Sequence, residues 1–191
     1  MNPVRAPFPA AAARALARHG VRPARFFLTV NIARQTTTLF GRQHGVYRAQ
    51  KVFRCSTSRF GVGEQSGSKK TPRGLHRIAE KVGGGWPVGA VFKSRQLIGF
   101  TWQGWPFAPI AHRILWLEGL EAGCNRGGEV DSYRRYIYIH GTGNEMTLGR
   151  PDSSGCVHLS SSDLLPLYDQ LPVGTLVWIT EGRLTTGDPI V

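Results

Sequence analysis

No aspartate or glutamate occurs before Glu64, although that stretch already holds 11 of the chain's 24 arginines and lysines. The rest carries 13 basic against all 12 acidic residues, so the net charge of +12 belongs to the N-terminal third. A basic face of this kind favours acidic partners such as nucleic acid, anionic lipid or carboxylate-rich fragments. Nucleic acid is not the expected partner, because no known binding motif accompanies the charge and the aromatics gather elsewhere, around Trp86, Trp102 and Trp105. Cysteine is scarce as well. Cys55, Cys124 and Cys156 form no CxxC, and an odd count gives no disulfide framework, which leaves a reducing compartment or one reactive thiol.

Long apolar runs are missing. The stretch from Phe26 to Val30 is far too short to span a bilayer. Ala10 to Ala17 is interrupted by Arg14 and followed by Arg18 and His19, which is no export signal. It reads as a short helix stopped at Gly20. On that reading the expected location is the cytoplasm, or the periplasm if an export signal has been lost. No internal repeat is evident.

What is present suits one packed domain of 191 residues, with 41% hydrophobic and 10% aromatic residues. We divide the chain into an Ala/Arg-rich extension (1–25), a domain (26–181) and a tail (182–191). Runs rich in β-branched and aromatic residues predict strands at 26–31 and 36–40, joined as a hairpin, then at 46–55, 75–80, 114–117, 136–140 and 175–180. Residues 83–109, with Gly, Pro and three Trp, read as a long loop over the core. One helix is predicted over 161–171, opened by Ser160 and Asp163 as a capping box, with Leu164, Leu165, Tyr168 and Leu171 on one face. Pro166 fits only near its first turn. The expected fold is mainly β (α+β), an antiparallel sandwich with one packed helix.

Strand alternation across 136–140 places Ile137 and Ile139 on a core face, and Tyr136, Tyr138 and His140 on the other. The same period puts Cys156 and His158 on one side of the following short segment. Glycines flank both: Gly141-Thr142-Gly143 follows His140, and Ser153-Ser154-Gly155 precedes Cys156. Glycine beside a nucleophile lets the backbone approach a carbonyl and lets successive N–H groups face an oxyanion. A thiol near an imidazole can supply the reactive thiolate. Against this, a lone Cys is more often buried and inert. Cys124, His140, Cys156 and His158 could supply a zinc site, but their spacing fits no common ligand pattern. No metal or cofactor is expected.

Ile139-His140-Gly141-Thr142 followed by Ser153-Ser154-Gly155-Cys156-Val157-His158 resembles the paired signature of the L,D-transpeptidase (YkuD-like) family, His-Gly-Thr and then Ser-His-Gly-Cys-(Ile/Val)-Arg. Thr71-Pro72-Arg73-Gly74 and Leu171-Pro172-Val173-Gly174-Thr175 also resemble family segments, so the likeness covers roughly 26–181. The resemblance implies a YkuD-like sandwich, with Cys156 attacking the carbonyl between a diaminopimelate-type residue and D-alanine in a peptidoglycan tetrapeptide. It implies His140 as base and then acid, oriented by the Gly141 carbonyl, and an oxyanion site at the N–H groups of Ser154, Gly155 and Cys156. Tyr138, Thr142, Ser153, His158 and Arg134 are the implied substrate contacts, and a carbapenem adduct at Cys156 is an implied partner.

Two residues depart from the signature. Ser154 replaces a His, which leaves main-chain contacts possible. His158 replaces an Arg and is a poorer partner for a carboxylate, unless it is protonated or Arg126 or Arg134 substitutes. Hydrolysis, as an L,D-carboxypeptidase of murein recycling, is the expected activity, with 3–3 cross-linking as the alternative. The Trp-rich segment is expected to act as a lid that sets which acceptor enters.

Overall fold

A computed structural model describes residues 6–182; the expected tail from 183 onward and the first five residues lie outside the described range. The chain runs α1 (Ala10–Arg18), β1 (Phe26–Asn31), β2 (Thr36–Gln43), β3 (Val46–Arg54), β4 (Gly74–Val82), β5 (Ala90–Lys93), β6 (Gln96–Phe100), β7 (Ala111–Gly119), β8 (Tyr138–Gly141), β9 (Val157–Leu159), α2 (Ser161–Gln170) and β10 (Leu176–Thr180). The strands join in the order β3-β2-β1-β10-β4-β7-β5-β6, and β8 and β9 branch from β7. Most neighbours are antiparallel, but β1 pairs with β10, and β8 with β9, in parallel.

Alternation along β1 decides the two layers. Phe26, Leu28 and Val30 enter the main core with Ile78, Leu115, Leu117, Ile139, Val157 and Leu159, and α2 closes that core with Leu164, Leu167 and Tyr168. Phe27, on the opposite face, packs with Phe40, Leu75 and Leu176 beneath Ala12, Ala15 and Leu16 of α1. Each fully buried Leu or Phe contributes about 2–3 kcal/mol, so both faces are firmly sealed. α1 ends as expected, with Gly20 in the left-handed region.

α2 begins where its cap predicts, with the Ser160 hydroxyl accepting from the Asp163 N–H at 3.2 Å. Its apolar face differs from the expected one. Leu167 is buried and Leu165 is only half-buried. Pro166 stands in the second turn, not the first, and is exposed there.

Two further expectations are corrected. The stretch 83–109 is no plain loop: β5 and β6 form a hairpin within it, register-paired from Ala90↔Phe100 to Lys93↔Gln96. Tyr136 is not on the strand; it has φ 57 and is exposed, while β8 begins at Tyr138. The turn before β8 therefore separates Tyr136 from the face shared by Tyr138 and His140.

Candidate active site

β8 and β9 build the site. Their parallel register sets Ile139 opposite Val157 and His140 opposite His158. Ile139, Val157 and Leu159 point into the main core, so alternation turns Tyr138, His140, Cys156 and His158 to the other face together. Cys156 and Tyr138 share a second cluster with Trp116 and Tyr133. The segment carrying Cys156 is braced on its far side too. His158 and Ser56 exchange backbone hydrogen bonds at 2.8 and 3.1 Å, and the Ser153 N–H donates to the Thr57 carbonyl at 3.0 Å.

His140 is 2% exposed, and its Nδ1 lies 2.8 Å from the Gly141 carbonyl oxygen. A carbonyl can only accept, so Nδ1 carries the proton and Nε2 presents a bare lone pair. Burial drives the His140 pKa down to about 3, with His158 and His112 pushing in the same direction and the Gly141 bond opposing. The ring is therefore a neutral base at physiological pH. The Cys156 thiol donates to the Tyr136 carbonyl at 3.4 Å. Burial raises its pKa to about 11, opposed by the Tyr138 backbone and by the positive charge of Arg135. At rest both groups are therefore neutral, a thiol and an imidazole.

The backbone around the thiol is held by Ser153. Its hydroxyl donates to the Cys156 carbonyl at 2.6 Å and accepts from the Gly155 N–H at 3.2 Å. Gly155 adopts φ +125, where a side chain is strained, and the carbonyls of Lys69 and Lys70 approach its Cα face. The Gly155 N–H is thus engaged by the Ser153 hydroxyl. Ser154 is exposed at the mouth.

Other expected contacts fall differently. Thr142 is 4% exposed, and its hydroxyl accepts from the Asn144 N–H at 3.2 Å. His158 lies beside His140 with ring centroids 4.7 Å apart and planes tilted by 55°, and its buried Nδ1 has no partner among the described residues. Burial lowers its pKa to about 4. A neutral imidazole is a poorer anion partner than a guanidinium. Arg134 and Arg126 are exposed. It is Arg135, one residue on from Arg134, whose charge reaches Cys156.

Sequence reasoning missed His112. It sits at φ 70 in a bulge of β7 between Ala111 and Ile114. Its Nδ1 accepts from the Gly89 N–H at 2.8 Å, which places the ring proton on Nε2, toward the Thr142 backbone and Glu145. A Cβ on Gly141 would lie 2.4 Å from its ring. Gly143 is pinned as closely, its N–H donating to the Ala108 carbonyl at 2.8 Å. A positive-φ His in a bulge leaves no period in the sequence by which to find it. Among the described residues, no group of three His, Cys, Asp or Glu side chains is arranged to hold a metal ion.

The family model of the L,D-transpeptidase catalytic domain (YkuD) matches residues 25–179. The chain is 40% identical over 47 residues to a putative L,D-transpeptidase YqjB of Bacillus subtilis, covering 25% of this chain and 27% of that protein. It is 36% identical over 61 residues to a putative L,D-transpeptidase YkuD of Bacillus licheniformis, covering 29% of this chain and 37% of the relative. The matched stretches thus span well under half of those relatives. In fold, it resembles Bd1075 of Bdellovibrio bacteriovorus with a TM-score of 0.55 at 14% identity, over 83% of this chain and 48% of the other. An L,D-transpeptidase of Mycobacterium tuberculosis H37Rv gives 0.50 at 17% identity, over 82% and 58%. L,D-transpeptidase LdtMt1 in complex with imipenem gives 0.50 at 16%, over 82% and 59%.

Proposed function

The chain belongs to the family of L,D-transpeptidase catalytic domains, and on that premise we propose that it cleaves peptidoglycan tetrapeptide stems through an acyl-enzyme on Cys156. The observation that carries the reading is the bond from His140 Nδ1 to the Gly141 carbonyl, because it leaves Nε2 unprotonated on the face that also bears Cys156. Nε2 takes the thiol proton as sulfur attacks the carbonyl of the residue before D-alanine. The negative charge that develops on the carbonyl oxygen faces the N–H groups of Ser154 and Cys156. Collapse breaks the C–N bond, and the imidazolium returns its proton to the departing D-alanine amine. His140 reverts to the neutral form that burial favours.

Water or an amine then attacks the thioester. Hydrolysis, which gives an L,D-carboxypeptidase, is our principal reading. Transfer to an amine, which gives a 3–3 cross-link, is the second, and one feature favours it: Trp102 and Trp105 remain exposed at 60% and 46% beside the hairpin, as an acceptor platform would be. A disaccharide-tetrapeptide incubated with and without excess D-methionine separates the two by mass. Tripeptide in both cases means hydrolysis, and exchange of D-alanine for D-methionine means transfer. Absence of any Cys156-dependent product overturns the acyl-enzyme itself. LdtMt1 is described in complex with imipenem, and a carbapenem adduct at Cys156 is the corresponding proposal for this chain.

A further inference from the structure

Arg134 is exposed, and Arg135, whose charge reaches Cys156, is bonded to the 63–70 loop. The β5–β6 hairpin brings in a further arginine, Arg95. Ser94 and Arg95 form its two-residue turn, with φ 50 and 67 between Lys93 and Gln96. Two non-glycine residues in the left-handed region are an uncommon choice for a free surface turn. The turn aims Arg95 back at the site. Its guanidinium lies 4.5 Å from the ring centre of Trp116 and 5.3 Å from that of Tyr136, and it engages the Tyr138 side chain. Trp116 is itself fixed by stacking on Tyr133 at 4.1 Å and by its Nε1–H donating to the Tyr133 carbonyl at 3.1 Å. Cys156 packs against this same Trp116–Tyr138 cluster. The guanidinium therefore stands on the aromatic wall against which Cys156 also packs.

Two arginines stand in this region and are not equivalent: the charge of Arg135 reaches Cys156, whereas Arg95 engages Tyr138, whose backbone bonds the thiol. Arg135 spends its guanidinium on the Gly63 and Lys70 carbonyls and the Ser68 hydroxyl, at 3.4, 2.8 and 3.5 Å. Arg95 pairs with no carboxylate among the described residues. A guanidinium carries five N–H donors, and with its hydrogen bonds going to the Tyr136 and Tyr138 side chains Arg95 keeps N–H groups for an anionic partner. We propose that Arg95, delivered by the β5–β6 hairpin onto Trp116 and Tyr136, binds a free carboxylate of the acyl donor and makes the enzyme selective for an anionic stem. Arg135 fixes the 63–70 loop and sets the local potential, and Arg95 reads the donor.

This inference rests on the acyl-enzyme reading and adds the class of donor to it. The test compares a tetrapeptide bearing a free side-chain carboxylate at its third residue with the same peptide amidated there. Steady-state kinetics and calorimetric binding to the Cys156→Ala protein are measured for otherwise native, Arg95→Gln and Arg95→Lys chains. The native enzyme should prefer the free acid in kcat/KM, and Arg95→Gln should shrink that preference about 10- to 100-fold, the worth of a charge-assisted contact. Arg95→Lys, which keeps the charge without the planar fork, should restore only part. The change should appear in KM and in binding. A preference unchanged in Arg95→Gln, even with a lower melting temperature, overturns the inference and reduces Arg95 to a staple for the hairpin. Binding that discriminates through Arg95 with no turnover of either peptide upholds the inference and overturns the acyl-enzyme. No turnover and no discrimination overturns both.

Discussion

The His112 ring fills the place where a Cβ on Gly141 would lie, 2.4 Å from the imidazole carbon Cδ2. The consequence runs directly to the base. The Gly141 carbonyl sets the His140 tautomer, and His112 holds the strand that presents that carbonyl. Gly141→Ala should therefore cost about 1–3 kcal/mol of stability from overpacking, with a larger loss of kcat than of KM. Urea unfolding and steady-state kinetics check this; a variant of native stability and native kcat contradicts the buttress.

Ser153→Ala removes the hydroxyl that ties the Gly155 N–H to the Cys156 carbonyl. The fold should persist, since Ser153 is also anchored through its backbone to Thr57 and Arg59. Turnover should fall about 10- to 100-fold through a misplaced oxyanion site. An unchanged kcat means that the hydroxyl does not set that geometry.

Reactivity of the thiol should follow its raised pKa. Alkylation of Cys156 by iodoacetamide should keep climbing between pH 7 and 10, because the thiolate becomes the main form only near about 11. A plateau reached by pH 7 would reveal a thiolate–imidazolium pair at rest. Cys55, fully buried and also pushed up to about 12, should not react in the folded protein.

Stability should respond to acid through the buried histidines. Burial lowers His140 to about 3, and His76 and His158 to about 4. All three gain protons more readily in the unfolded chain, near its ordinary value of about 6.5. Their contribution is complete above that value and is lost as pH falls toward 4, at up to about 1.4 kcal/mol per pH unit for each group. Urea midpoints that stay level from pH 7 to 4 contradict it.

Much of this architecture could be read before the structure. β1 and β2 announce themselves by β-branched and aromatic runs, and α2 by the Ser160–Asp163 cap. Alternation alone placed His140 and Cys156, each beside core-facing Ile139 and Val157. What escaped depends on turns whose shape no residue type declares. The Ser94–Arg95 turn has no glycine, so the β5–β6 hairpin read as loop and Arg95 went unnoticed. The turn ahead of β8 rotates Tyr136 off the strand and brings Arg135, in place of Arg134, toward Cys156. His112 lies in a bulge, where the two-residue period fails. The bond from the Asn144 N–H to the Thr142 hydroxyl is likewise shown only by the folded chain.

The most direct test of the acyl-enzyme is mass spectrometry of the protein quenched during turnover of a tetrapeptide, followed by peptide mapping. The account predicts a tripeptidyl mass increment on Cys156, absent in Cys156→Ala together with all product and retained in Cys55→Ala and Cys124→Ala. Product formation by Cys156→Ala, or an adduct carried by Cys55 or Cys124, would contradict it.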